Sequence, residues 1–91
     1  PKARFISRDL IVTRHKQVGK DGSHLKLTVT DKSITYDAIA FRQGEWARDM
    51  PSRVDLLYTF EKNEWQGNVS LQLNVRDLKA GGQAINPQSG I

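Results

Sequence analysis

The sequence predicts an all-β fold, a five-stranded antiparallel barrel with one short helix between strands 3 and 4. Three observations carry that prediction. Apolar and polar residues alternate with a period of two wherever a pattern can be read, and no segment sustains an apolar period of 3.6 residues. Turn-forming Gly, Asp, Ser and Asn residues also punctuate the alternating runs.

Strand 1 begins at Leu10-Ile11-Val12-Thr13 and reads to about Val18, where Gly19-Lys20-Asp21-Gly22-Ser23 supplies residues that tolerate positive φ in a hairpin connection. Strand 2 spans residues 24–30. There Leu25, Leu27 and Val29 point to one face while His24, Lys26 and Thr28 point to the other, so one face is core and the other wet. Asp31-Lys32-Ser33 turns the chain into strand 3, residues 34–41, whose apolar phase shifts between Tyr36 and Ile39. A bulge and burial on both faces account for that shift equally well, and Tyr36 and Phe41 are assigned mainly to the core. Alternation stops at Gly44, and residues 45–50 suit a short helix that Pro51 ends, with Trp46 turned to the core.

Strand 4 covers residues 54–60, alternating Val54, Leu56, Tyr58 and Phe60 against Asp55, Leu57 and Thr59. Strand 5 covers residues 69–75, alternating Val69, Leu71, Leu73 and Val75 against Ser70, Gln72 and Asn74. From Ala80 the composition turns to Gly, Gln, Asn, Pro and Ser, which cannot bury enough apolar area to offset chain ordering, so residues 80–91 are expected to form a disordered tail. With residues 1–8 as a lead-in, the folded domain is 9–79. This order of elements is that of an OB-type barrel, reached without long unstructured connections. An SH3-like barrel is the main competitor, and the helix position argues against it.

Composition narrows the function classes. At 91 residues and 37% apolar, the chain supports one modest core. It has no cysteine, which excludes disulfides and thiolate metal sites. No apolar run approaches the ~20 residues of a membrane span and no secretory pattern is evident, so a soluble, cytoplasmic protein is expected. The sequence opens Pro1-Lys2-Ala3-Arg4-Phe5 without an initiating methionine, which suggests a larger parent chain. Charge is uneven: residues 1–26 carry seven Lys/Arg against two Asp, and residues 27–91 carry seven Lys/Arg against eight Asp/Glu. A basic end favours a polyanionic partner.

Catalytic signatures are lacking. His15 and His24 form no i, i+4 pair and adjoin no carboxylate cluster, so a metal site is not expected. Gly19-Lys20-Asp21-Gly22-Ser23 lacks the G-x-x-x-x-G-K-[ST] order of a phosphate loop and leads into a strand. No nucleophile elbow or acid–base carboxylate pair is present. Binding is better supported. OB barrels offer the face of strands 2 and 3, flanked by the strand 1–2 and 4–5 loops, to oligonucleotides. Arg14 and Lys16 on strand 1, Lys20, Ser23 and His24 around the first loop, and Lys26 on strand 2 lie near one rim. Asn63, Trp65 and Gln66 of the second loop and Gln72 of strand 5 complete the candidate surface. Single-strand binding needs cations for phosphates and an exposed ring for bases; Trp65 is the stacking candidate, and a loop anchor packed over the barrel end accounts for it at least as well.

Several stretches also carry a family resemblance. These are Val18-Gly19-Lys20-Asp21-Gly22-Ser23-His24-Leu25-Lys26-Leu27, Asp37-Ala38-Ile39-Ala40-Phe41, Val54-Asp55-Leu56-Leu57-Tyr58, Asn63-Glu64-Trp65-Gln66-Gly67-Asn68-Val69-Ser70-Leu71-Gln72-Leu73 and Val75-Arg76-Asp77. In order and spacing the chain resembles the OB domain of the RecJ family over roughly residues 5–79. The family comprises bacterial exonucleases of the DHH phosphoesterase superfamily that degrade single-stranded DNA from the 5′ end in repair and recombination. The resemblance implies that catalysis, through an Asp-His-His motif and two divalent metals (Mn or Mg), belongs to domains outside this chain, which is not expected to cleave DNA or to hold a cofactor itself. It implies single-stranded DNA, the parent's own nuclease core and a single-strand binding protein as partners. Two roles follow: gripping the single strand, or acting as a structural module that closes the nuclease core or docks a partner.

Overall fold

The computed structural model describes residues 3–81, apart from the side chain of Trp65. Five strands and one 3₁₀ helix occur in the order β1 (Phe5–Val18), β2 (His24–Thr30), β3 (Thr35–Ala40), η1 (Gly44–Asp49), β4 (Arg53–Trp65) and β5 (Asn68–Ala80). The strands close into a barrel in the order β1-β2-β3-β5-β4. Four junctions are antiparallel, and the fifth, β3 with β5, is parallel with Ala38 opposite Leu73 and Ile39 opposite Asn74. That junction departs from the fully antiparallel expectation. It exists because the chain crosses the barrel through η1 and runs up β4 before β5 returns beside β3.

β1 serves two neighbours. Its first half pairs with β4, from Phe5 opposite Tyr58 to Ile11 opposite Arg53, and its second half pairs with β2, from Ile11 opposite Thr30 to Val18 opposite His24. The strand bends between them through register shifts at Ser7/Leu10 and Val12/Arg14. Asp9 sits in the first shift with φ 57°. Its N–H donates to the buried Asp55 carboxylate at 2.7 Å and its own carboxylate pairs with Arg53 at 2.9 Å. This bulge explains why β1 starts at Phe5 rather than Leu10. Ser7 faces Leu56 and Leu10 faces Val54, an odd spacing that breaks the alternation read backward from Leu10. Residues 5–8, expected to be lead-in, therefore form the start of β1.

The core is built from alternate residues of all five strands: Leu10, Leu25, Leu27, Val29, Ala38, Ala40, Val54, Leu56, Tyr58, Leu73, Val75 and Leu78. Ala38, Ile39 and Ala40 are consecutively buried while the β2–β3 register continues unbroken, so the phase shift in strand 3 reflects burial on both faces rather than a bulge. Trp46 and Ala47 of η1, and Met50 just after it, pack against the core. Phe41, assigned to the core from sequence, is 51% exposed.

β4 and β5 both outrun the expected residues. They pair as far as Trp65 opposite Asn68, and a tight turn with Gln66 at φ 49° and Gly67 at φ 84° joins them. The expected strand 4–5 loop is therefore a strand ribbon. A third shift, opposite Leu57/Tyr58, leaves Arg76 as an extra residue in β5 and turns Leu78 inward. Of the expected tail, Ala80 ends β5 and Gly81 donates its N–H to the Arg53 carbonyl, while residues 82–91 lie outside the described residues.

Candidate nucleic-acid interface

Strand registration sets which side chains share the outward face. Leu25, Leu27 and Val29 occupy the core, so His24, Lys26 and Thr28 face outward, and so do their partners on β1 and β3. One row across the sheet contains Lys16, Lys26 and Ile39; the next contains Arg14, Thr28 and Asp37. Between them lies an open groove of about 610 Å³ lined by Thr13, Arg14, His15, Lys16, Lys26, Leu27, Thr28 and Asp37.

Three of the candidate cations, Arg14, Lys16 and Lys26, come together in this groove. All three are exposed. Asp37 is the acidic member, accepting a long hydrogen bond of 3.4 Å from the Thr28 hydroxyl. Sequence reasoning misses its place here. The available signal is its position in the outward phase of β3, directly opposite Thr28.

The remaining candidates occupy three other places. His24 stands one row beyond Lys26, where its Nδ1 accepts the Arg42 N–H at 2.9 Å and its ring meets Phe41 edge-on, centroids 5.2 Å apart. Lys20 and Ser23 belong to the β1–β2 connection. Ser23 is committed within that turn: its hydroxyl and then its N–H, at 3.1 Å, hold the Asp21 carboxyl below its ordinary value. Asp21 stays anionic beside Lys20, so the connection adds little net positive charge. Gln72 lies across the β3–β5 junction, where the Ile39–Asn74 pairing aligns it with the Asp37 row, and Asn63 donates to it at 3.1 Å. Trp65 and Gln66 sit at the far end of the ribbon. Asn63, Gln66 and Gln72 do not line the groove.

Among the described residues, no group of three or more His, Asp or Glu side chains is placed to hold a metal ion. His15 and Asp37 line the groove, and no third His, Asp or Glu among the described residues joins them. No helix among the described residues is long and apolar enough to cross a membrane.

A five-stranded barrel with a short helix between β3 and β4, closed by a parallel β3–β5 junction and bearing a basic groove on β1–β3, is an OB-fold domain. Residues 1–77 match the family described as RecJ OB domain, and the chain belongs to that family. It is 24% identical over 79 residues to the single-stranded-DNA-specific exonuclease RecJ of Bacillus subtilis (strain 168), covering 85% of this chain and 10% of that protein. Crystal structures of RecJ from Thermus thermophilus share the fold. The Mg²⁺ complex gives a TM-score of 0.64 at 21% identity over 87% of this chain and 12% of that one, and the Mn²⁺ complex 0.67 at 20% identity over 87% and 11%. The mitochondrial single-stranded DNA binding protein Rim1 of S. cerevisiae also matches in fold, with a TM-score of 0.62 at 10% identity over 88% of this chain and 96% of that one. The chain thus spans about a tenth of the length of its RecJ relatives.

Proposed function

We propose that this chain is the single-stranded-DNA-binding OB domain of a larger RecJ-type 5′–3′ exonuclease, acting in DNA repair and recombination in the bacterial cytoplasm. In this reading the domain grips the strand and guides it to a nuclease core elsewhere in the parent, where the divalent metal resides and cleavage occurs. The observation that carries it is the convergence of Arg14, Lys16 and Lys26 in one open groove on the sheet face. The contacts proposed are these cations on phosphates, Lys20 and His24 at the adjoining edge, and the Asn63–Gln72 pair and the ribbon tip with Trp65 and Gln66 farther along the strand. Ser23 acts by shaping the β1–β2 turn.

A second reading, a structural module that seats on the nuclease core or docks a single-strand binding protein, is favoured by one feature. Val69 and Leu71 are 56% and 63% exposed on the ribbon.

The test is a titration of labelled single-stranded oligonucleotide, with duplex as control, at several salt concentrations. Wild-type protein should bind the single strand more tightly than duplex and weaken as salt rises. Lys16→Ala with Lys26→Ala should reduce affinity and lower the log–log salt slope by about 1.4, since each lost single-strand phosphate contact is worth ~0.7. An unchanged slope would remove the groove from the binding surface. No binding by wild type would favour the structural role.

A further inference from the structure

We propose that Phe41 is a base-stacking platform, mounted rigidly at one end of the basic groove. The proposal rests on the DNA-binding reading above and adds the residue through which bases, rather than phosphates, are held. Phe41 is 51% exposed, and it follows β3 in the outward phase set by Asp37 and Ile39. Ile39 is registered with Lys26, which is registered with Lys16, so Phe41 stands about 6.5–7 Å, one strand repeat, beyond a row holding two cations. His24, the edge-on neighbour of the ring, occupies the same outer row.

The mounting is what separates Phe41 from an incidental exposed side chain. The turn after β3 is tied to the β1–β2 hairpin by two hydrogen bonds. Arg42 donates its N–H to His24 Nδ1 at 2.9 Å, and Gly44 donates to the Ser23 carbonyl at 2.9 Å. Arg42 adopts φ 64°, a conformation a non-glycine residue takes at a cost and keeps only where its surroundings impose it. A Cβ on Gly44 would collide with the Gly22 carbonyl oxygen, and one on Gly19 would stand 2.8 Å from His24 Cδ2. The turn and the β1–β2 connection therefore approach closely where Gly44 meets Gly22, and the His24 ring, packed on Gly19, meets the Phe41 ring in a T-shaped contact. A ring already fixed this way loses little further freedom when a base lands on it. A half-exposed aromatic held against a neighbouring ring, beside phosphate-binding cations, is the combination that sequence-tolerant single-strand binding uses.

The experiment uses the whole chain and two labelled probes at low salt: an oligothymidylate, and an abasic strand of equal length that keeps the phosphates and lacks the bases. Wild type should bind the oligothymidylate more tightly than the abasic strand. Phe41→Ala should weaken oligothymidylate binding roughly tenfold, with its salt slope intact and abasic binding unchanged. Phe41→Leu, which keeps apolar bulk without an aromatic face, should behave like the alanine variant, and Phe41→Trp should restore binding. The proposal is overturned if the Ala and Leu variants bind both probes as wild type does, which would assign the ring to a protein contact. Equal loss on both probes overturns it too, because the ring then only supports the fold. A wild-type protein that binds neither probe overturns the DNA-binding reading itself.

Discussion

The two halves of the β4–β5 hairpin obey one alternation and meet opposite fates. Within the barrel, Leu73 and Val75 are buried; nearer the turn, Val69 and Leu71 occupy the same face and are 56% and 63% exposed. The ladder runs without a break through both halves, from Tyr58 opposite Val75 to Trp65 opposite Asn68. The difference lies in what stands across from the strands. β3 closes against β5 at Leu73 and Asn74, whereas among the described residues no third strand pairs with the ribbon beyond them. Backbone pairing and side-chain burial are therefore separable. Alternation says which face a residue uses, and only closure of the fold decides whether that face is dry.

Alanine at the two leucines breaks or upholds this comparison most directly. Leu73→Ala should cost ~2–5 kcal/mol of unfolding free energy, as expected for a large-to-small change in a core, while Leu71→Ala should stay within about 0.5 kcal/mol. Denaturant melts of the two variants decide it; comparable losses would mean that the ribbon face is covered in solution. A smaller effect sharpens the view of the barrel's outer side. Thr59 is 1% exposed, and its hydroxyl has no hydrogen-bond partner among the described residues. Thr59→Val should stabilise by about 1 kcal/mol, because the desolvated hydroxyl is removed with almost no change of shape. A destabilised variant would show that the hydroxyl is satisfied.

The smallest effect contrasts the bare ribbon turn with the β2–β3 turn, where Lys32 has φ 84°. There the N–H groups of Ile34 and Ser33, each 2.8 Å from Asp31 Oδ1, hold the Asp31 carboxyl below its ordinary value. A lowered folded-state value means that the stabilisation is complete above the unfolded carboxylate range and is lost as pH falls below about 4. Asp31→Asn removes the titration, so its thermal stability should decline less steeply than wild type's between about pH 4 and pH 2.5. Parallel acid limbs would contradict the assignment.

Much of the fold is legible in the sequence where one rule dominates. The bounds of β2 coincide with the alternation of residues 24–30, and η1 falls in the segment that Pro51 ends, with Trp46 against the core. Legibility fails where two effects compete. The bulges at Asp9 and Arg76 reverse the phase, hiding the first residues of β1 and the last of β5. Residues 61–64 carry polar side chains on a ribbon held by backbone bonds, and composition alone reads that as loop. The site divides along the same line. Arg14, Lys16 and Lys26 follow from strand alternation and hairpin register, and the structure brings them together. Grouping Trp65 and Gln66 with them requires a loop that folds back, and a two-residue turn sends both to the ribbon's end instead. Phe41 is hidden because aromatic character, read from sequence, points to burial.

The parallel β3–β5 junction also sets an order of events in folding. Its partners, Ala38 with Leu73 and Ile39 with Asn74, are separated by η1 and most of the longest hairpin, whereas β1–β2, β2–β3 and β4–β5 each join strands adjacent in sequence. Short closures form early and long ones late, because the entropy of bringing distant segments together must be met before their contacts reward it. The local hairpins are thus assembled first, and the two long closures, β3 with β5 and β1 with β4, come after them. The outward row from Lys26 through Ile39 to Asn74 becomes one continuous surface only when the β3–β5 seam forms, so the face of the proposed groove depends on a long-range closure.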